Sequence, residues 1–440
     1  MIFHLLKMSL LSILPAEVNQ QLLEHLIQSD RAWAAKTLPA INKSVGENYY
    51  ASITDVACQI ASYTDRLDAL RIIRKTEKLV KLHLKFVREG GDQRDVPYEF
   101  VIKKPVDTFL ITTGYRITRY PSRLKTLIIN ATMDDPRDGP QIAPIPKTVE
   151  FASVHLRMHD DARNDWGWNW EDTYAVNSIL KRCKDLRVLD VYVDFMGDFT
   201  DVACELKQLE VLKIDTTDGV LISKTGDYVD LTRCTNLKIF GLFTDEEEVS
   251  FRTMRLPPSL EVMHVGEYPF EFPNGVPQLK ALTMMWHVET PISQDTWCSM
   301  WEHVEIAGVH VGFNENGNGA DIHILPPGKD LRLYVFVSYF YEIQNVDHMR
   351  PLRAFKNRAT EIVVIMEHNE KFSSEYVNIV RECCPNASLV CCTAGSGFSC
   401  FSSSMWNVVT KGRMPEMPDE MKHRLVSKDA EYEMIFTELM

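Results

Sequence analysis

A short apolar phrase, L-x-x-L-x-L with Leu, Ile, Val, Met, Phe and Ala interchanging, recurs along this chain and limits the folds open to it. Clear copies begin at Leu79, Leu124, Leu186, Leu209, Leu260 and Leu279, and looser ones at Val106, Val149, Leu237, Val304, Leu331 and Ala359. Twelve starts between residues 79 and 359 give a mean period of about 25 residues, in the range that marks stacked repeats. The last two apolar positions are two residues apart and share one face of a short strand. One such unit cannot bury its apolar face alone, but a stack can, and the result is a solenoid with strands lining one side.

The phrase and its period resemble the leucine-rich repeat. The resemblance implies an α/β fold: an irregular leucine-rich-repeat solenoid of parallel strands, with helices and loops on the convex side. Spacers at 66–78, 172–184, 296–304 and 374–383 carry apolar residues at helical spacing. Asp134-Asp-Pro-Arg-Asp-Gly-Pro is turn chemistry. The chain departs from the family eight residues after the first Leu, where regular repeats carry Asn or Cys. Here Val87, Thr132, Asp194, Thr217, Asp245, Tyr268 and His287 stand instead, so no Asn ladder is expected. Side chains between and just after the apolar strand positions are expected to face the concave side: His83 and Lys85, Asp190 and Tyr192, Lys213 and Asp215, Gly241 and Phe243, His264 and Gly266, Thr283 and Met285. Polar residues with scattered aromatics suit a partner surface, although any one of them could equally face water.

The first sixty residues read differently. Pro15 suits a helix's first turn, Glu17 complements the helix dipole, and Val18, Leu22, Leu23 and Leu26 form an apolar stripe. Further helical stretches are expected over 31–38 and from Ile41 to Tyr50. The series Leu14, Pro15, Glu17, Val18, Leu22, Leu23 and Leu26 resembles the F-box opening L-P-x-E-[I/V]-x-x-x-[I/L]-L-x-x-[L/I]. The match covers about 13 residues and thins beyond them: Ile41-Asn-Lys-Ser-Val replaces the family's Val-Cys/Ser-Lys/Arg-x-Trp phrase, and no Trp follows. The resemblance implies docking to the Skp-type adaptor of a cullin–RING ubiquitin ligase through Leu14, Pro15, Val18, Leu22, Leu23 and Leu26, with a protein substrate held by the repeats. The same helices could instead only cap the stack, since solenoids need polar-faced terminal units.

A net charge of −13 argues against nucleic acid or an anionic membrane as partner. Asp245-Glu-Glu-Glu reads as a solvated turn. Ten cysteines in 440 residues do not form a secreted disulfide framework. Cys183 and Cys234 fall three residues before a repeat Leu, and Cys58, Cys204 and Cys298 are expected on helix faces. A reducing cytoplasmic or nuclear compartment fits. The apolar start lacks a basic first segment and a cleavage site, so a signal peptide is not expected, and no stretch is long enough to span a bilayer.

Trp166, Trp168 and Trp170, at alternate positions in the longest spacer, are candidate partner anchors. Alternatively they fold back over an adjoining helix. With Tyr192, Lys213, Asp215, Phe243 and His264 they make up the expected partner-binding set. No metal, cofactor or catalytic residues are assigned. Cys383-Cys384 and Cys391-Cys392 lack the gap that lets two sulfurs reach one zinc, and Ser388–Cys392 reads as a strand. Gly395-Ser-Gly-Phe-Ser-Cys is neither a nucleophile elbow nor a phosphate loop. A hydrolase would need a deep pocket of converging ionisable groups.

The expected layout is an F-box-like module over residues 1–60, the solenoid over 61–405, and a linker with a terminal helix over 406–440. Lys411 to Met421 reads as linker and Asp429 to Leu439 as the helix. The function expected is a non-enzymatic substrate receptor of a ubiquitin ligase. The alternative is a scaffold or effector that binds a protein partner without a ligase.

Overall fold

The computed structural model describes residues 53–60, 63–86, 102, 104–113, 119–133, 142–158, 180, 182–193, 196–197, 205–216, 221–222, 228–244, 253–265, 272–285, 301–312, 332–338, 361–367, 378, 381–382, 388–392 and 405–426. The F-box-like segment, with Leu14, Pro15, Val18, Leu22, Leu23 and Leu26, lies outside the described residues. So do Trp166, Trp168, Trp170 and the expected helix over 429–439.

The chain divides into two units, Met1–Leu127 and Ile128–Met440. In the first, β1 (Asp55–Ile60), β2 (Lys81–Phe86) and β3 (Thr108–Thr113) pair in parallel in that order. Helix α1 (Tyr63–Lys75) joins β1 to β2, close to the span its apolar spacing predicts. Asp65 in its first turn and Arg74 and Lys75 in its last complement the dipole. Ala69 and Ile73, four residues apart, supply its buried face. Cys58 is a correction: it sits on strand β1, not on a helix. Burial pushes its thiol up to about 11.

Strand β4 (Thr126–Met133) spans the unit boundary. The second unit continues with β5 (Phe151–Met158), β6 (Val188–Val193), β7 (Met196–Gly197), β8 (Val211–Thr216), β9 (Leu221–Ile222) and β10 (Tyr228–Asp230). Then come β11 (Ile239–Thr244), β12 (Thr253–Arg255), β13 (Val262–Val265), β14 (Ala281–Met285), β15 (Ile306–Gly312), β16 (Arg332–Ser338), β17 (Glu361–Glu367) and β18 (Ser388–Cys392), and finally helix α2 (Asp419–Leu425). Its main sheet runs β4-β5-β6-β8-β11-β13-β14-β15-β16-β17-β18, and every pairing from β5 onward is parallel. The small pairs β7-β9 and β10-β12 are parallel too. This is a parallel-strand repeat solenoid with few helices among the described residues.

The apolar phrase sets the register. Its fourth position lines up from unit to unit: Ala152, Leu189, Leu212, Phe240, Met263, Leu282 and Ala307 stand side by side and are buried. One copy needs correction. The phrase begun at Leu331 puts Tyr334 in the core, but the sheet sets Leu333 beside Ala307 and buries it. A one-residue shift sends each side chain to the opposite face, and Tyr334 is half-buried on the other side.

Successive units are tied at the strand entrance. The carbonyls of Glu150, Arg187, Glu210, Lys238, Glu261 and Lys280 each accept two N–H bonds from the next unit, at 2.7–3.2 Å. The side chains at this position alternate in sign through Glu305. Arg187 Nε donates to Glu210 Oε1 at 2.6 Å and Lys280 Nζ to Glu261 Oε2 at 2.8 Å. Exposed pairs of this kind stabilise little, but a slip by one unit would set like charges side by side. The Glu210 hydrogen bond raises the Arg187 guanidinium above its ordinary value, and the charges of Glu210, Glu150 and Glu416 add to it.

Buried Cys183 and Cys234 sit three residues before Leu186 and Leu237, as expected from the phrase. Each cysteine N–H bonds the carbonyl three residues back, Leu180 and Leu231, closing a tight turn. Burial pushes the Cys183 thiol up to about 12.

Candidate functional site

The strand face opposite the apolar core carries two rows. Val188, Val211, Ile239, Val262 and Ala281 form an apolar row, one residue before the core position. One residue after it run Ser153, Asp190, Lys213, Gly241, His264 and Thr283, each beside the next. Both rows are buried. Parallel strands buried on two faces read as near-continuous apolar runs, and Val211-Leu212 and Val262-Met263 are such runs.

The cover is the chain's own C-terminal segment. Residues 405–410 are helical, Gly412 at φ +73° ends that turn, and Pro418 opens α2. The expected linker over Lys411 to Met421 is thus corrected: its last residues belong to a helix that begins after Pro418. Met405, Trp406, Val409, Met417, Met421 and Leu425 are buried, whereas Lys411, Glu416, Asp419 and Lys422 face out. Helix α2 lies against β5, and Arg413 Nη2 stands 3.7 Å from Glu305 Oε2, at the entrance to β15.

Trp406 is the anchor, with 1% of its surface exposed. Its ring lies over Gly241, where a Cβ would meet ring carbons at 2.5, 2.9 and 3.0 Å. Only glycine leaves room for the indole. Its edge meets Phe243 and His264 at centroid distances of 5.7 and 6.1 Å, and Nε1–H donates to the Leu425 carbonyl at 2.9 Å. Both helical pieces of the segment are thereby tied together.

Beneath it, Asp190 is the polar hub. Ser153 Oγ donates to Asp190 Oδ2 at 2.8 Å, and His155 Nε2 lies 2.8 Å from the same oxygen. Lys213 Nζ is 3.8 Å from Oδ1 and 4.8 Å from the Phe243 ring centroid, so the ammonium is held by a carboxylate and an aromatic face. No hydrogen-bond donor reaches Oδ1 among the described residues. Burial alone would push the Asp190 carboxyl up; Lys213 and His155, with the His155 and Ser153 hydrogen bonds, outweigh it and hold the carboxyl well below the ordinary range. Ser153, His155 and Asp190 share residue types with a hydrolytic triad but not its order. The serine O–H donates directly to the carboxylate, and His155 Nε2 lies on that carboxylate rather than on Oγ, so the histidine does not stand between the other two as a triad base does.

His264 is buried, with Nδ1 2.7 Å from Thr283 Oγ1. Burial first, and the Lys213 charge second, push its pKa down to about 3. The unfolded imidazole takes its proton near 6.5, so between these values the unfolded chain binds the extra proton, and stability falls as pH drops from about 6.5 toward about 3. Wild type is expected to lose more urea-midpoint stability between pH 7 and pH 5 than His264→Gln. An equal loss in both would show that His264 titrates freely in the folded chain.

Of the expected partner-binding set, Lys213, Phe243 and His264 do come together. A correction to their surroundings follows: they are buried under residues of the same chain rather than open to solvent. Tyr192 and Asp215 are half-buried, adjacent on β6 and β8, and Tyr192 stands 5.7 Å from the His155 ring. Ser153, His155 and Trp406 were not singled out by the sequence. Compared with known proteins, the chain matches no family model and no curated protein sequence.

Proposed function

We propose that the chain is a non-enzymatic repeat receptor, in which the solenoid holds a protein and the N-terminal segment docks a Skp-type adaptor of a cullin ligase. The observation that carries the receptor half is the strand face of the second unit, which seats a helical peptide segment by a Trp anchor and apolar contacts. Such a face is built to hold polypeptide. The adaptor half is supported by the F-box-like series from Leu14 to Leu26, ahead of a repeat solenoid. Cys58, Cys183 and Cys234 are not joined in disulfides, which is compatible with a cytoplasmic or nuclear setting.

Purified Skp adaptor is expected to capture the wild-type chain. Leu14→Asp/Pro15→Ala puts a charge into the docking stripe and is expected to cost about 2 kcal/mol or more, roughly thirtyfold in Kd. Equal capture of both would remove the adaptor role from this segment. Capture of neither would leave a scaffold that binds its partner without a ligase.

A further inference from the structure

We propose that the face over β5–β14 is a peptide-binding groove occupied in cis by residues 405–426, and that its partner is an amphipathic helical peptide bearing a Trp that competes for the Gly241 slot. This rests on reading the chain as a receptor but not on adaptor docking.

Three observations carry it. First, the covering segment behaves as a ligand does. It follows β18, the last strand of the sheet, yet packs on strands far earlier in the chain. It also holds its own shape through the Trp406 Nε1 bond to Leu425 and the Thr410 Oγ1 bond to the Trp406 carbonyl. Second, what it covers is not composed like a permanent core. Asp190, Lys213, His264, Ser153 and Thr283 lie in one buried row of the face it packs on, and burying such groups is costly unless each is paired. Here the pairing lies within the sheet, Ser153 with Asp190 and His264 with Thr283, so these groups keep their partners when the segment lifts. Third, the polar match is incomplete in the covered state. Among the described residues, Asp190 Oδ1, which has only the Lys213 ammonium at 3.8 Å, and, within the segment, Asn407 Oδ1 are buried without a hydrogen-bond partner, where a settled interior leaves few such atoms. The Gly241 slot then sets specificity, because the missing Cβ lets a flat ring lie against the backbone.

Hydrogen exchange of the wild-type full chain is the first test. Amides of 405–426 are expected to exchange about tenfold or more faster than those of β8 and β11, through an opening that leaves the sheet folded. A labelled peptide of residues 405–426 is then added to full-length wild type and to full-length Trp406→Ala. The variant, its own anchor removed, is expected to bind the peptide at least about tenfold more tightly, and the same peptide with Ala at the Trp406 position is expected not to bind. Exchange of segment and strands as one unit would overturn the proposal. So would loss of strand protection in Trp406→Ala, or a folded variant that ignores the peptide. A failed adaptor capture leaves this result untouched, and a failed peptide assay leaves adaptor docking untouched.

Discussion

Asp190→Ala is expected to destabilise the second unit by roughly 3–5 kcal/mol, the cost of leaving a buried charge unpaired. The Lys213 ammonium, 10% exposed in its side chain, loses its carboxylate and, among the described residues, keeps only the Phe243 ring. Ser153 Oγ and His155 Nε2 lose their shared acceptor. Asp190→Asn is expected to fall nearly as far, because an amide restores a hydrogen-bond acceptor but not the charge. Asp190→Leu/Lys213→Met removes both ions together and is expected to recover much of the loss, as buried pairs replaced by apolar residues often do. Adjacent strand positions couple in this way. The urea midpoint at constant m measures it. An alanine variant within 1 kcal/mol of wild type would mean that water already reaches the carboxylate.

The same hub gives an acid limit. With its folded pKa lowered, Asp190 contributes stability that is complete above its unfolded value near 3.8 and is lost as pH falls below it. The His264 effect begins higher, near 6.5. Mild acid therefore tests His264 and stronger acid tests Asp190.

The strands were readable because a Leu at the fourth phrase position has one physical use, to pair with its counterpart in the next unit. Leu189 beside Leu212 and Met263 beside Leu282 follow from the pattern alone. The misplaced copy at Leu331 shows the limit. Leu331, Leu333 and Tyr334 allow two registers, and only pairing with Ala307 selects one. The cover was also written in the sequence, in the position before the core Leu. Val188, Val211, Ile239, Val262 and Ala281 are apolar where an open face would carry polar residues. That row announces that something lies on the face but not what. Nothing local says that Met405, Trp406 and Val409, at helical spacing, return across the sheet to Gly241. Lys213, Phe243 and His264 were therefore expected to meet a partner, while the actual contact of Phe243 and His264, Trp406, falls in the expected linker. Long-range docking between segments some 165 residues apart is set by the shape of the slot, and shape is not a property of either segment alone.

That shape gives the second large effect. Trp406→Ala is expected to cost about 3–5 kcal/mol as a buried large-to-small change, but only up to the free energy that docks the segment, because once the segment is off nothing more is lost. Gly241→Ala acts on the same contact from below. Its Cβ would stand 2.5 Å from Trp406 Cζ3, so the indole must shift, at a cost of about 1–3 kcal/mol for overpacking. In the Trp406→Ala background the ring is gone and the added methyl meets no indole, so Gly241→Ala is expected to be nearly neutral there. The coupling between the two changes should therefore be about as large as the Gly241→Ala cost itself, well beyond the scatter of independent sites. Additive costs would place the penalty at Gly241 in its own strand backbone and not in the ring above it.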